Sequence, residues 1–405
     1  MNLTFVNADL HAGVRTGVKI AGARIAAVGK CVRAHERVLD LEGDRLLPGL
    51  INAHDHLQLN HLPPPAAQRR YSHVREWIAD IDRLRRLEGP LKAAVAVPLA
   101  DRLLLGGVKN LLSGVTTVAH HDPLHSSLCE PRYPSRVVTR FGWAHSLYIE
   151  GEAKTRESHR RTPAEWPWII HAAEGVNAQA LEEFRQLERL GCLQPNTLIV
   201  HGVALRARER RRLSAAAAGL IWCPSSNLQL FGATAEVAEL IAGRRVALGT
   251  DSRLTGSRDL LTELRIAAEQ ASLTSEALQS LVTRDAAELL RLADCGVIAP
   301  GRRADLLVLP AGLALERAER AQIRLVMLDG VPLYGDLDLA HALGPEGYWV
   351  EVCVDGRAKA LARSLAERLL SLKLREPGLE LPAREPGERA IARQHGVEDA
   401  LRGWA

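Results

Sequence analysis

Apolar and polar positions divide the chain into a middle region and two flanking regions with different patterns. Between about residues 48 and 295, short apolar runs of strand character alternate with segments of helical periodicity. This alternation is typical of βα units built around a parallel sheet. The predicted strands cover 46–54, 115–120, 137–144, 167–172, 197–202, 218–223 and 245–250, and the clearest helices cover 181–190, 258–271 and 276–292.

The middle region predicts an α/β fold, a distorted TIM (β/α) barrel. A closed barrel needs eight strands, whereas the pattern supplies seven. The polar stretch 145–166 is too short for a further helix–strand–helix passage. We therefore expect either that one barrel strand is degenerate there or that the barrel is distorted.

The flanking regions are rich in short β-like pieces. They occupy residues 1–47 and 296–345, and neither has enough strands to close a core alone. We predict that they combine into one small composite β-sandwich domain, with the barrel of residues 48–295 inserted between them. Residues 346–405 are expected to form a C-terminal extension that is helical over 361–374 and then rich in charge and proline.

Polar side chains end several of the predicted barrel strands. His54 and His56 close the first strand, and His171, His201 and Asp251 each close a later one. Alternate residues of a strand face the same way, and the carboxyl ends of parallel barrel strands meet on one rim. We therefore expect these five side chains to surround a single site.

Imidazoles combined with a carboxylate suit one divalent metal ion, with zinc favoured and iron(II) as the alternative. The pKa of a metal-bound water falls from 15.7 to about 7, which makes hydroxide available at neutral pH. Asp251 is expected both to bind the metal and to accept the proton of this water. Glu174, three residues beyond His171, is placed to move protons without binding metal. His201 is expected to polarise the attacked centre or to hold the water.

The order His-x-His, His-x-x-Glu, His, Asp resembles that of the amidohydrolase superfamily. Within it, the chain is similar to the mononuclear branch of guanine deaminase, cytosine deaminase, S-adenosylhomocysteine deaminase and the triazine hydrolases. Segments 47–54, 114–118, 223–228 and 296–306 resemble further family motifs. The resemblance implies a single metal held by His54, His56, His171 and Asp251, with Glu174 and His201 as catalytic partners. Asp55 stands where the family often has Thr, and its side chain should face away from the metal.

The predicted reaction is hydrolytic deamination of a nitrogen heterocycle by a metal-activated water. The water attacks an amidine-like carbon, Glu174 protonates the ring nitrogen, and ammonia leaves. One alternative is hydrolysis of a cyclic amide or another C–N bond, as in imidazolonepropionase-like relatives. The other is a non-catalytic binding protein on the same fold. The complete set of ligands, together with Glu174, argues against this alternative.

Further residues near the strand ends are candidates for substrate binding. Successive strand residues face opposite sides, so only one of His120 and His121 should face the barrel interior. The amides of the set are equally suited to capping a loop. The predicted substrate-binding residues are Gln58, His121, His145 and Asn227.

Composition and charge exclude several other classes. The 405 residues are 47% hydrophobic and carry a net charge of only +4, without a basic stripe for nucleic acid. The six cysteines lie far apart, which indicates free thiols in a reducing compartment. No signal peptide or membrane-spanning apolar run is evident. We expect a cytoplasmic protein with a small-molecule substrate and no nucleic-acid or membrane partner. The sequence leaves open whether the protein forms a homodimer.

Overall fold

The computed structural model describes residues 2–11, 13–29, 37–63, 69–87, 92 and 96–382. Within the chain, two compact units are distinguished. The first comprises residues 1–50, 111–116 and 297–405, and the second comprises residues 51–110 and 117–296. The distal part of the predicted C-terminal extension, residues 383–405, lies outside the described residues, as does Cys31.

Nineteen strands are numbered in chain order. They are β1 Asn2–Asp9, β2 Arg15–Ala21, β3 Arg24–Val28, β4 Arg37–Asp40, β5 Arg45–Pro48, β6 Leu50–Asp55, β7 Val115–His120, β8 Arg136–Val137, β9 Gly142–Ser146, β10 Trp168–Ala172, β11 Thr197–His201, β12 Gly219–Trp222, β13 Val246–Leu248, β14 Leu306–Leu309, β15 Leu325–Leu328, β16 Val331–Gly335, β17 Trp349–Val354, β18 Arg357–Ala362 and β19 Leu379–Glu380.

The α-helices are numbered in the same way. They are α1 Val74–Arg86, α2 Leu99–Leu112, α3 Leu147–Arg161, α4 Ala178–Arg189, α5 Ala207–Ala215, α6 Pro224–Phe231, α7 Ala238–Ala242, α8 Leu260–Gln270, α9 Ser275–Leu281, α10 Arg284–Leu289, α11 Leu337–Leu343 and α12 Arg363–Ser371. Short 3-10 turns occur at Leu57–Leu59, Ser126–Cys129, Leu315–Arg317 and Arg320–Gln322.

The first unit is built on an eleven-stranded sheet from both ends of the chain. Its order is β19-β17-β18-β16-β15-β14-β5-β1-β2-β3, and β4 pairs with β1. Its core includes Leu3, Phe5, Ile20, Leu306 and Met327, all of them buried. β17, β18 and β19 come from residues that we expected to form a separate helical extension, so this part of the chain adds strands to the sheet.

In its described residues, the second unit contains eight strands, β6 to β13, in alternation with helices. They form a three-stranded sheet, β6-β7-β8, and a five-stranded sheet, β13-β12-β11-β10-β9. β7 pairs with β8 in parallel, as do neighbouring strands from β9 to β13. The sequence pattern predicted seven strands because β8 has only two residues and merges with β9 in the apolar run 137–144.

The degenerate strand is therefore not where the sequence placed it. The stretch 145–166, proposed as its location, holds helix α3 instead. Ser146 caps the helix by accepting a hydrogen bond from the amide of Ile149. Similarly, the helix predicted over 361–374 covers only Arg363–Ser371, because the preceding residues belong to β18.

Backbone contacts bring the last strand of this unit against the first. The amides of Thr250 and Asp251 both donate to the carbonyl oxygen of His54, at 3.0 and 3.1 Å. Gly249 permits this approach, because a Cβ added there would lie 2.7 Å from the Cβ of His54. The carboxyl ends of β6 and β13 therefore meet, which places Asp251 beside the His-x-His segment.

Two further predictions concern the chain as a whole. No helix among the described residues is long and apolar enough to cross a membrane. The five cysteines in the described part of the chain, Cys129, Cys192, Cys223, Cys295 and Cys353, are free thiols, as the spacing indicated.

Candidate active site

Three histidine side chains converge at the carboxyl ends of β6 and β10. The Nε2 atom of His171 lies 3.3 Å from Nε2 of His54 and 3.3 Å from Nε2 of His56. Asp251 completes the group, with its Oδ1 atom 3.9 Å from Nε2 of His54 and 3.7 Å from Nε2 of His56. All four residues are at least nine-tenths buried. The structure thus brings the four predicted ligands together.

This geometry fits a divalent metal ion. Two ligands about 2.0–2.1 Å from a tetrahedral zinc ion are roughly 3.3 Å apart, which is the distance from Nε2 of His171 to Nε2 of His54 and to Nε2 of His56. Burial, together with the neighbouring imidazoles, holds the pKa of His54 and His171 well below its ordinary value, so these rings are neutral. Two neutral ring nitrogens this close to one another direct their lone pairs into the same space, and a cation bound between them makes this arrangement favourable.

Outer hydrogen bonds fix which nitrogen of two ligands carries the proton. His171 Nδ1 lies 2.8 Å from the carbonyl oxygen of His145, an atom that only accepts, so Nδ1 donates and the Nε2 lone pair is free. His56 Nδ1 lies 2.6 Å from Oδ2 of Asp122 and is oriented in the same way. Such partners orient ligand histidines and raise their basicity.

Asp122 was not predicted as a site residue. Burial disfavours its charge, but His56 and the amide of Gln58, which donates to the same oxygen at 2.8 Å, hold its pKa well below the ordinary range. In turn, and against the effect of burial, Asp122 and Asp251 raise the pKa of His56 to about 9. These carboxylates favour any cation at this position, whether a proton or a metal ion. In the sequence, the signal that could have identified Asp122 is its position directly after His120 and His121 at the end of a predicted strand.

Replacing Asp122 with Asn should weaken metal binding by about 10- to 100-fold, because an outer partner of a ligand histidine loses its charge. The measurement is a competition titration of zinc against a chromophoric chelator. Asp338→Asn, at an exposed carboxylate of α11, is the matched control. Equal zinc affinity in both variants would show that Asp122 does not tune His56.

The carboxylate of Asp251 is held firmly by its own surroundings. Its Oδ2 accepts from the hydroxyls of Ser226 and Thr255, both at 2.7 Å, and its Oδ1 accepts from the amide of Ser252 at 2.8 Å. Although burial opposes ionisation, His56 and His201 and these hydroxyls lower the pKa of Asp251. Asp251 is therefore an anion.

Glu174 and His201 lie together beside the ligand cluster. Oε1 of Glu174 is 3.5 Å from Nε2 of His201, and both residues are buried. Burial, reinforced by Asp251 and Glu183, raises the pKa of Glu174 well above its ordinary value. Burial lowers the pKa of His201. Burial thus favours the uncharged form of both side chains.

Asn227 sets the orientation of His201. Its Nδ2 donates to the hydroxyl of Thr234 at 3.1 Å, so its Oδ1 is the acceptor that faces Nδ1 of His201 at 2.9 Å. His201 consequently carries its proton on Nδ1 and presents the lone pair of Nε2 to the site. Asn227 thus acts on a neighbouring side chain, where the sequence predicted a contact with substrate.

The backbone adopts left-handed conformations at the ends of three catalytic strands. The φ angles are 54° at Ala173, 75° at His201 and 53° at Asp251. Such conformations cost of order 1–3 kcal/mol each in non-glycine residues and persist where the surroundings enforce them. Here they turn the chain sharply so that Glu174, His201 and Asp251 face the same centre.

The other predicted substrate-binding residues surround the ligand rings. The His121 ring stacks on that of His171 with centroids 4.4 Å apart, and the His145 ring lies 4.7 Å from it. Burial lowers the pKa of His145 to about 4. Gln58 lies behind His56, where it bonds Asp122. His120 faces elsewhere and its Nδ1 accepts from the amide of Leu57.

Asp55 points into a buried polar cluster rather than toward the ligands. Its carboxylate lies 3.3 Å from Nζ of Lys109 and accepts from the amide of Asn60 at 2.8 Å. Lys109 also donates to the hydroxyl of Thr250, the residue before Asp251. Well-bonded buried polar groups specify a unique local geometry, so this cluster positions the ligands of β6 relative to Asp251.

Another buried carboxyl group, that of Glu263 in α8, supports the first turn of α6, which carries Ser226. It accepts from the amide of Ser225 at 2.9 Å and from the hydroxyls of Ser225 and Ser257. Burial raises its pKa from 4.5 to about 7. The folded protein therefore retains this proton at pH values where the unfolded chain has lost it.

Glu263 should make folding stability depend on pH. Its stabilising contribution is complete below pH 4.5 and is lost as the pH rises through about 7. Glu263→Gln, which is neutral throughout, should remove a decline of about 2–3 kcal/mol in the free energy of unfolding between pH 5 and pH 8. Urea unfolding at both pH values measures this, with Glu269→Gln at an exposed position of α8 as the control. An unaltered pH dependence would mean that Glu263 is ionised throughout.

The chain is similar in sequence to known hydrolases. Residues 162–333 match the amidohydrolase family model. A 5-methylthioadenosine/S-adenosylhomocysteine deaminase from Desulfitobacterium hafniense is 30% identical, in a match that covers 82% of this chain and 89% of that protein. An 8-oxoguanine deaminase from Pseudomonas aeruginosa is 36% identical over 131 residues, a match that covers 30% of this chain and 29% of that protein.

Solved structures share the fold. Atrazine chlorohydrolase from Arthrobacter aurescens TC1, complexed with zinc, aligns with a TM-score of 0.66 at 19% identity and covers 82% of this chain and 95% of its own. An adenosine deaminase from Xanthomonas campestris with bound zinc aligns with a TM-score of 0.64 at 21% identity and covers 84% and 95%. These similarities confirm the predicted distorted TIM barrel with an additional β-rich part.

Proposed function

Because the chain belongs to the amidohydrolase family, we propose that it hydrolytically deaminates a small nitrogen heterocycle, with zinc as the resident metal. Family membership confirms the predicted class, a metal-dependent hydrolase of non-peptide C–N bonds. The names of the relatives are those expected for deamination. Both of these relatives act on purine compounds by name, so purines are the first substrates to test.

The residues that would hold the metal are His54, His56, His171 and Asp251, whose donor atoms converge as described above. A divalent ion bound there supplies Lewis-acid activation of water at neutral pH. Three imidazoles and one carboxylate are a donor set that zinc accepts readily. The two solved structures named above, both with zinc, support this choice.

The single observation that carries the proposal is the placement of two buried carboxyl groups at the cluster, with Asp251 among the ligand histidines and Glu174 beside His201. Their surroundings act in opposite directions: against the effect of burial, His56 and hydrogen bonds lower the pKa of Asp251, whereas burial raises the pKa of Glu174. Environments that push two titratable groups apart in this way separate the base from the acid. Asp251 is the acceptor for the proton of the attacking water, and Glu174 is the donor to the heterocycle.

The remaining residues orient these proton transfers. The lone pair on Nε2 of His201 accepts a hydrogen bond from the attacking water, since Asn227 holds the proton of this ring on Nδ1. This tautomer favours the water-holding role for His201 over polarisation of the attacked carbon. In the balanced reaction, water adds to the amidine carbon, the C–N bond to the amino group breaks, and the products are an oxo-heterocycle and ammonia.

The experiment is an ammonia-release assay with the zinc-reconstituted protein on a panel of aminopurines, aminopyrimidines and aminotriazines. Ammonia with formation of the oxo-product, absent in Glu174→Gln, supports the proposal. A ring-opened product without ammonia would indicate the cyclic amide hydrolase instead. Zinc binding without either product across the panel would contradict deamination of these heterocycles.

Three predictions from the sequence accompany this proposal. We expect no nucleic-acid partner, because the net charge is small. Sedimentation analysis tests the homodimer, and fractionation of the source cells tests the cytoplasmic location.

A further inference from the structure

One buried imidazole beside the four ligands has a ring nitrogen to which the mechanism above gives no role. A donor nitrogen of this residue, His121, also lies within 4.8 Å of those of His54 and His171, so metal binding is one outcome of the test below. His121, at the carboxyl end of β7, is 1% exposed. Its ring contacts those of two ligands, with centroids 4.4 Å from His171 and 5.1 Å from His54. Among the described residues, its Nδ1 atom is buried and has no hydrogen-bond partner. A buried polar atom without a partner costs free energy, which binding of a complementary group recovers.

The hydrogen bond on the opposite side of the ring determines what Nδ1 offers. Nε2 of His121 lies 3.1 Å from the carbonyl oxygen of Ala144, which only accepts, so Nε2 carries the proton. With the proton on Nε2, Nδ1 presents its lone pair. The amide of His121 donates to the carbonyl oxygen of Asp55 at 3.1 Å, which fixes the residue between two strands. The acceptor is thus held in place before any ligand arrives.

Resting on the deaminase function proposed above, we propose that Nδ1 of His121 accepts a hydrogen bond from a ring N–H of the substrate. The preferred substrates are then amino-lactam heterocycles, in which a ring nitrogen next to the oxo carbon carries hydrogen. Heterocycles whose ring nitrogens only accept would place a lone pair against the lone pair of His121. They are the disfavoured class.

The position of His121 explains why a ring atom, rather than a distant substituent, is its partner. The ring contacts two metal ligands, so only atoms near the attacked carbon come within hydrogen-bond reach. Glu174 acts on the departing amine from the side of His201. Glu174 contacts His201, and the ring of His201 stacks on that of His171 with centroids 5.4 Å apart. The group that His121 binds is therefore a donor other than the departing amine.

Guanine and 2-aminopurine form a matched pair for the test, as do isocytosine and 2-aminopyrimidine. Both members of a pair carry the same amino group, but only the first member has an N–H in the six-membered ring, next to its oxo carbon. The imidazole N–H of the two purines is common to both and does not distinguish them. A site built to hydrogen-bond a donor rejects an analogue that lacks it, because a buried group is then left without a partner. We expect the first member to bind tenfold or more tightly.

Binding is measured by calorimetry on zinc-loaded Glu174→Gln protein, so that turnover does not interfere. In this background, His121→Phe keeps a ring stacked on His171 but removes the acceptor, and His121→Asn supplies an oxygen near the position of Nδ1. The expected result is a tenfold preference that falls toward unity in the Phe variant and returns in the Asn variant. Elemental analysis should find equal zinc in all three proteins.

Several outcomes would overturn the inference. These are equal binding of the two members of each pair, a preference unchanged by His121→Phe, binding of neither member, or loss of zinc in the Phe variant, which would make His121 a metal ligand. Failure of the inference is separable from failure of the proposed function. Ammonia release from the wider panel by the protein with Glu174 intact would uphold deamination even if His121 selects nothing.

Discussion

Glu174→Gln is expected to lower kcat by about 10²–10⁴-fold on any heterocycle from which the wild type releases ammonia. General acid catalysis contributes about this much to a rate, and the amide of Gln is too weak an acid to transfer a proton. The side chain keeps its size, and Glu174 is not among the ligands, so zinc content should equal that of the wild type. Steady-state ammonia release and elemental analysis measure the two quantities.

The matched control is Glu182→Gln on the exposed face of α4, where the carboxylate pairs with Arg185 and Arg189. It should leave both turnover and zinc content unchanged. Unchanged turnover in Glu174→Gln would remove Glu174 from the mechanism. Loss of zinc in that variant would instead indicate that Glu174 is a ligand, in conflict with the converging set of His54, His56, His171 and Asp251.

His171→Ala is expected to abolish stable metal binding. His171 is the ligand whose Nε2 lies 3.3 Å from both other ring nitrogens, and its Nδ1 is anchored on the carbonyl of His145. Loss of an outer partner alone weakens metal affinity by about 10- to 100-fold, and loss of a ligand should exceed this. The variant should be isolated with little zinc and should show no ammonia release.

Thermal unfolding provides a second measure of the same prediction. A metal that binds only the folded state raises its stability, by about 4 kcal/mol at a free concentration of 1,000 times Kd. Added zinc should therefore raise the Tm of the wild type and of a control, His341→Ala, at an exposed position of α11. It should not raise the Tm of His171→Ala. A normal zinc-dependent shift in that variant would contradict the ligand assignment.

The sequence named the side chains that meet in the structure more fully than it located the individual strands and helices around them. His54, His56, His171 and Asp251 were identifiable because each ends an apolar run, and a strand end is a local property of the chain. β8 was missed because two residues are too few for a pattern and because the same apolar run continues toward β9. Helix α3 was missed because its polar composition resembles that of a loop until the serine cap and its neighbours are seen together.

Contacts between side chains that lie far apart along the chain could not be predicted from the sequence. Asp122 and His56 are 66 residues apart, and Thr250 and Lys109 are 141 apart, so no local pattern pairs them. Likewise, the sequence suggested that Asn227 might bind substrate, and only its contacts with His201 and Thr234 revealed an orienting role. Such pairings depend on how strands and helices pack, which single residues do not encode.

The chain alone determined the types of donor, their order and the alternation of strands and helices, because side-chain chemistry and hydrophobic periodicity are written residue by residue. The tertiary structure decided which nitrogen of each site histidine donates, in which direction burial shifts the pKa of each carboxyl group, and which buried ring nitrogen is left without a hydrogen-bond partner among the described residues. These properties arise from burial and from neighbours brought together by folding. Protonation depends on the local environment, and that environment exists only in the folded molecule.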